Sequence, residues 1–406
     1  MIPRLMPPFS LVQLFSAAVH FFPGAEEIFE HKFAERFGFP YGLFFPYGRS
    51  ALYTLLRAFG WKNEDVVVPA YTCAVVPHAI MLSGNKVRFV DSDPDHFNIS
   101  AKRLASALNF STKMVVPTPL FGYPVDRRGY EEIINRMSPN AFVLYDAAHG
   151  FGIEDEQGLQ FLNADGSLFG LGLGKIMSSL YGGVLLLRDE SVFNEIKKCR
   201  NREFRSPSLM TNVSRLAYGI AAWAAFHEPF LSFVDFLEKH TKLLYRFTEY
   251  YYGKSGPSLP ENVQERPATL QARLGLMQLD VYEQLVRQRR EISSMYEKKL
   301  RDAGFPLFLT SGKPTYSHFP IIVNDRDKVV KALRKDGIQV GRLIDYACPD
   351  LPGYEADKGK YPYAARFAQR MINLPNWPGM RASQVDFVIE AIIKCRDKKP
   401  DMFIDV

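Results

Sequence analysis

The chain has 406 residues, 47% of them hydrophobic and 23% charged, which describes an ordinary globular protein. Its length exceeds what one core usually holds, so a large domain and a smaller one are expected. The net charge of +6 comes without a block of five or six like charges, which excludes a nucleic-acid tail; Lys394, Arg396, Lys398 and Lys399 read as a solvated helix end.

The first apolar stretch, residues 9–22, is interrupted by Ser10, Gln13, Ser16 and His20 and lacks a small-residue cleavage site, so it reads as a helical segment rather than a signal peptide. From about residue 44 to 190, short β-branched runs alternate with helical patterns, the signature of parallel βα units. Strands are predicted at Asp65–Val68, Val87–Val90, Met114–Pro117, Ala141–Tyr145 and Gly183–Leu187, each nearly all apolar, as when helices cover both faces of a sheet. Helices are predicted at Ser50–Phe59, stopped by Gly60, and at Tyr130–Met137, with Asp126 as a nearby cap.

After residue 213 the pattern turns helical through Tyr252. Leu216–Phe226 is an apolar run of 11 residues, well short of the roughly 20 a membrane span needs. Phe226, Phe230, Phe233 and Phe236 recur at helical spacing, which reads as core or subunit interface, so no membrane contact is expected. Gly253, Gly256, Pro257, Pro260 and Pro267 mark a domain junction, with residues 1–255 as the large domain and 256–406 as the small one. A long helix is predicted from Thr269 to Leu300. Strand Phe319–Val323, helix Arg326–Lys335, strand Ile338–Gly341 and two more helices then complete an α+β C-terminal domain. Cys73, Cys199, Cys348 and Cys395 show no CxxC or CxxH spacing, which argues against disulfides and zinc and fits a reducing cytoplasm.

In a parallel α/β sheet, reactive groups gather where strands end. Asp146 stands there, after AFVLY, although a carboxylate is common in such turns for structural reasons alone. His149 follows. Lys175 sits in FGLGLGKIMSSLYGG, between glycine-rich apolar flanks. Poor solvation there lowers an ammonium pKa, and a neutral amine can attack an aldehyde to form a Schiff base; the plain alternative is a surface lysine in a turn. Upstream, Gly48, Arg49 and Ser50 turn directly into a helix, whose first N–H groups and the Ser50 hydroxyl can hold an anion. Ser50 can equally serve as an N-cap.

The order GRSAL, VVVPAYT, KVRFVDSDPDHFNI, LFGYPVD, YDAAHG, GKIMSSLYGG, LQARLGLMQLD and LPNWPGM resembles the DegT/DnrJ/EryC1/StrS family over residues 28–396. The resemblance implies a fold-type-I α/β transferase, with a mixed, mostly parallel sheet flanked by helices and a smaller α+β domain. It implies pyridoxal 5'-phosphate and transfer of an amino group from an amino-acid donor such as glutamate to a keto-sugar, with nucleotide-linked sugars the family habit and a non-sugar carbonyl left open. Lys175 would carry the cofactor and shuttle a proton, Asp146 would pair with the pyridine nitrogen, and His149 would lie beside the 3-oxygen. Gly48, Arg49 and Ser50 would hold the phosphate.

Several positions depart from the family pattern. Gly170 stands where a phosphate-binding serine is usual, Cys73 where an aromatic residue stacks on the ring, and Gln264 where an asparagine reaches the partner subunit's cofactor. Arg49 replaces a threonine and can supply a bidentate phosphate contact. The GIQVGRLIDYACPDL segment lacks the family's substrate-side histidine pattern. Tyr181, Arg266 and Arg342 are the candidate substrate contacts, Arg342 being equally readable as a strand-end surface residue. A homodimer with shared active sites is implied. Two rivals are a dehydratase, in which a histidine would replace Lys175, and a scaffold protein, which would have no need for Lys175, Asp146 and His149 together.

Overall fold

The computed structural model describes residues 1–19, 23–156, 158–241, 256–260 and 262–404, so the last part of the helical pattern expected through Tyr252, residues 242–252, and Gly253 at the junction lie outside the described residues. A seven-stranded sheet is built from β1 (Tyr41–Phe45), β2 (Asp65–Pro69), β3 (Lys86–Val90), β4 (Thr112–Val115), β5 (Phe142–Asp146), β8 (Gly166–Gly170) and β9 (Gly183–Leu187), in the order β1-β9-β8-β5-β4-β2-β3. A short hairpin, β6 (Glu154–Asp155) and β7 (Gly158–Leu159), stands apart. Within the large sheet β9 alone runs against the other strands.

Alternate strand residues feed two cores. Leu43, Phe45, Leu144, Leu168, Leu185 and Leu187 pack with helices Gly48–Ala58, Val75–Leu82 and Glu190–Glu203. Phe44, Tyr145, Phe169, Val184 and Leu186 point the other way, toward helices Ala25–Arg36, Ala101–Ala105 and Arg127–Met137. This two-sided burial is why the strands read as continuous apolar runs. Phe29, Phe33 and Phe37, four residues apart on one helical face, meet Phe44, Phe151 and Phe169 in a set of mostly edge-on ring pairs.

Strand β1 is also held by charge. Buried Arg200 contacts Glu26 (3.2 Å) and Glu30 and donates to the Phe44 carbonyl (2.8 Å), while Glu30 accepts from the Phe44 N–H (2.7 Å). Two helices are thereby tied to the strand that leads into Gly48.

The C-terminal part places an antiparallel pair, β10 (Phe319–Ile322) and β11 (Met371–Leu374), among helices Tyr282–Asp302, Arg326–Lys335, Pro362–Arg370 and Ala382–Lys398. Three local expectations are corrected. Ile338–Gly341 makes only isolated bridges, to Ile2 and Asn373, and β11 pairs with β10 in its place. The predicted Thr269–Leu300 helix is two, Thr269–Asp280 and Tyr282–Asp302, broken at Val281 (φ −106°, ψ 3°). Strands β1 and β8 were not anticipated. Among the described residues no helix is long and apolar enough to cross a membrane.

Candidate active site

The strand order brings the chemistry together. Gly183, which opens β9, pairs with Phe45 at the end of β1 and with Gly170 at the end of β8. Asp146 ends β5, the next strand over. The carboxyl ends of β1, β8 and β5 therefore deliver the Gly48 turn, Gly170 and Asp146 to one edge, and the Lys175 loop leaves from β8. Contact is close: a Cβ on Gly183 would lie 2.4 Å from the Gly48 nitrogen, which no side chain permits.

The Lys175 loop is closed across its base by Leu171 N–H donating to the Gly182 carbonyl (2.9 Å), with Leu180 in the left-handed region (φ 72°). Lys175 Nζ lies 3.0 Å from His149 Nε2. Burial lowers the lysine pKa, while Cys73 and Asp146 nearby raise it in part. The Asp146 carboxyl is itself pushed up by burial and drawn back by Lys175 and by the Ala148 N–H (3.1 Å). His149 is held well below its ordinary range by burial and by Lys175 and His318. A lysine and a carboxyl, each pushed by burial toward its neutral form and pulled back by the other, thus share one site, the environment that tunes groups for proton transfer.

Helix Gly48–Ala58 starts at Gly48 with Tyr47 at its N-cap, so Ser50 lies in the first turn and is not the cap. Its hydroxyl is fully buried and, among the described residues, has no hydrogen-bond partner, and the same holds for Thr72 Oγ1. Arg49 is buried beside them and, after burial itself, helps push His78 down to about 4. Unsatisfied buried hydroxyls are costly and point to a ligand that satisfies them. At Gly170 a Cβ would lie 3.4 Å from Lys175 Cε, so the lysine stem occupies the space beside this position.

The segment that departs from the family pattern braces the Cys73 loop. Tyr346 OH accepts from the Ala74 N–H (3.0 Å), Cys348 N–H donates to the Ala70 carbonyl (2.8 Å), and Cys348 Sγ donates to the Thr72 carbonyl (3.1 Å).

Lys175, Asp146, His149, Cys73 and Gly170 come together, with the Gly48–Ser50 turn on the adjoining strand end. Gln264, Arg266 and Arg342 are engaged elsewhere: Gln264 with Glu203 (3.3 Å), Arg266 with Glu26 (2.8 Å) and Arg342 with Asp327 (3.0 Å). Tyr181 stacks on Tyr218 (centroids 4.6 Å apart) and meets Tyr47 edge-on, with the Arg215 guanidinium 5.1 Å from its ring centre.

Sequence reasoning passed over Ser317 and His318. Ser317 Oγ lies 3.0 Å from His149 Nδ1 and 3.2 Å from His318 Nδ1. The available signal was two polar residues in TYSHFPII, directly ahead of a strand otherwise read as core.

A model of the DegT/DnrJ/EryC1/StrS aminotransferase family matches residues 23–219 and 261–393. A dTDP-4-amino-4,6-dideoxy-D-glucose transaminase of Shigella dysenteriae is 24% identical over 89% of this chain and 88% of its own. A GDP-perosamine synthase of Escherichia coli O157:H7 is also 24% identical, over 90% and 88%. The solved structure of the aminotransferase TlmJ from Streptoalloteichus hindustanus superposes with a TM-score of 0.75 at 20% identity, covering 98% of this chain and 99% of that one.

Proposed function

Because the chain belongs to the DegT/DnrJ/EryC1/StrS aminotransferase family, we propose that it is a pyridoxal 5'-phosphate-dependent transaminase that moves an amino group, with glutamate as donor, onto a nucleotide-linked keto-sugar. One observation carries the reading: a desolvated lysine amine, a buried carboxylate and a neutral histidine meet at one sheet edge. The amino-sugar products named for the two relatives support the acceptor class.

The residues present fit the cofactor. The orphaned Ser50 hydroxyl, the helix start at Gly48 and buried Arg49 offer donors to a phosphate, and Arg49 supplies charge where Gly170 brings no hydroxyl. Asp146 would face the ring nitrogen, Cys73 a ring face, His149 the 3-oxygen, and Lys175 would hold the group through its amine. Bound there, the cofactor supplies an aldehyde that condenses with amines and a ring that takes up the electron pair of a breaking C–H bond.

The chain's own work is proton handling. Lys175, once its amine is free, is basic and placed to take a proton from a carbon above it and return it elsewhere. Asp146 would favour a protonated ring nitrogen beside it, because a buried carboxylate without a cationic partner is costly. The surrounding apolar loop excludes water that would otherwise compete for these protons.

The same reading includes a homodimer with shared sites, in which Gln264, at the position of the family's partner-reaching asparagine, would approach the partner's cofactor. Four free cysteines fit a reducing cytoplasm. The test is spectroscopic. Purified protein should be yellow, bleach with glutamate, and recover its colour with a keto-sugar nucleotide. A colourless protein that takes up no added cofactor would sink the proposal.

A further inference from the structure

Four groups form a continuous chain. Lys175 Nζ lies 3.0 Å from His149 Nε2, His149 Nδ1 lies 3.0 Å from Ser317 Oγ, and Ser317 Oγ lies 3.2 Å from His318 Nδ1. The segment carrying Ser317 is firmly built. Tyr316 is held in the left-handed region (φ 48°), its carbonyl accepting from Asn376 (2.9 Å) and its hydroxyl donating to Glu297 (2.7 Å). Arg289 donates to the Ser317 carbonyl (2.9 Å), and the Thr315 N–H reaches across to the Gly122 carbonyl (2.9 Å). A non-glycine residue at positive φ is kept only where its surroundings over-determine it, and such positions cluster at functional sites.

Hydrogen counting then constrains the histidines. A serine hydroxyl carries one proton, and a neutral imidazole carries one N–H. Both histidines are driven toward neutrality by burial, His149 also by Lys175 and His318, His318 also by Arg289 and Lys175; Lys175 in turn faces Cys73 and Asp146. Both ring nitrogens that meet Ser317 are Nδ1. The hydroxyl can donate to only one of them, so the other must donate its own Nδ1–H to the oxygen. The two rings must therefore hold opposite tautomers.

We propose that Ser317 is a positioning residue that locks His149 and His318 in opposite tautomers, so that the proton state of Lys175 is relayed to His318 Nε2. With Lys175 protonated, its ammonium donates to His149 Nε2, His149 Nδ1–H donates to Ser317, the hydroxyl donates to His318 Nδ1, and His318 Nε2 bears a proton. When that Nε2 proton leaves to solvent water beside the half-buried His318 ring, each remaining proton moves one place. The Ser317 proton passes to His318 Nδ1, the His149 Nδ1 proton to Ser317, and a Lys175 proton to His149 Nε2. The net change is loss of one proton from Lys175 and its appearance beyond His318, with no oxidation or reduction. The inference rests on Lys175 being the reactive amine and deepens that reading by giving the amine a route for its proton.

The test reads ring nitrogens rather than turnover. The full-length chain, dialysed free of cofactor and labelled with 15N-histidine, would be titrated by long-range 1H–15N correlation spectroscopy; its 8 histidines keep assignment tractable. The relay requires one Nδ1–H and one Nε2–H ring in this pair at every pH where both are neutral, and an exchange of the two as Lys175 titrates. Ser317→Ala should uncouple them, so that His149 still follows Lys175 while His318 no longer does, and Ser317→Thr should restore the exchange. In the cofactor-loaded enzyme Ser317→Ala should lower kcat roughly 100-fold, the low end of general acid–base contributions, with little change in KM. Identical tautomers in the unsubstituted chain, or an exchange that survives in Ser317→Ala, would overturn the relay. These spectra stand apart from the colour test, so a colourless protein with coupled tautomers would fault the cofactor reading alone.

Discussion

The edge of the sheet and the outer helices break the rule of apolar inside and polar outside in opposite ways. At the strand ends, Asp146, His149 and Ser317 are buried and lean on one another or on Lys175 for their charges and protons. Along helices Leu209–Ala225 and Phe230–His240, large apolar side chains face outward: Met210 is 72% exposed and Phe233 58%. The inner face of the first helix is ordinary. Leu216, Tyr218 and Trp223 pack with Leu14, Leu270 and Leu180, the last from the Lys175 loop. The family match ends at residue 219 and resumes at 261, so it spans the sheet edge and leaves most of this helical layer out. The difference is instructive. Buried polar groups come as a set because each is costly without the others, whereas outward apolar ones cost little and are free to differ.

The comparison can be broken most sharply at Lys175. Lys175→Ala should drop turnover below roughly a thousandth, consistent with losing both the covalent anchor and the base, while the melting temperature holds. Retained turnover in a steady-state assay would remove the site from the sheet edge. Next is the clamp beneath it. Arg200→Ala strands buried Glu30 and should cost about 3–5 kcal/mol by urea unfolding; a change under ~1 kcal/mol would mean that β1 is held by packing alone.

Four histidines withdrawn wholly or partly from water make a pH prediction. Burial sets His78 and His96 down to about 4, below the ordinary value of 6.5, and His149 and His318 move the same way. Between those values the unfolded chain binds more protons than the folded one, so stability is full above about pH 6.5 and is lost as pH falls toward 4, at roughly 1.4 kcal/mol per unit for each histidine. Asp146, raised by burial, works with the opposite sign near its own titration. Urea midpoints at pH 7, 6 and 5 would show the slope, and a flat profile would contradict it.

Smaller effects are expected in the helical layer. At Gly219 a Cβ would lie 2.8 Å from Leu14 and 3.1 Å from Leu180, so Gly219→Val should cost about 1–3 kcal/mol through overpacking against the lysine loop. Phe233→Ser, on the outer face, should change stability by less than ~0.5 kcal/mol in the same unfolding assay. A larger loss there would show that the face is covered in solution.

Much of the site was legible because its residues are local in sequence. Asp146 and His149 follow one strand, and Lys175 lies between glycines that leave the chain little other use for a lysine. Strand β1 was missed because YGLFF sits between proline- and glycine-rich turns and is stabilised by Glu30, Arg200 and β9 rather than by its own composition. Strand β8 begins and ends in glycine, and at its start it must, since a Cβ on Gly166 would lie 2.9 Å from the Leu186 carbonyl oxygen. Ile338–Gly341 has the apolar run of a strand, but no full partner edge reaches it.

By itself the sequence determined the βα alternation and the family, and it singled out Lys175, Asp146 and His149 as candidates, since periodicity and motif order are properties of the chain read end to end. Only the tertiary structure decided that Ser317 joins His149 to His318, that Ser50 keeps an unpartnered hydroxyl, and that Arg266 and Arg342 are held by carboxylates elsewhere. Those outcomes depend on contacts between segments up to some 240 residues apart, as for Arg266 and Glu26. Which distant group meets a side chain is set by how the sheet edge and the C-terminal segment pack, and no local pattern encodes it.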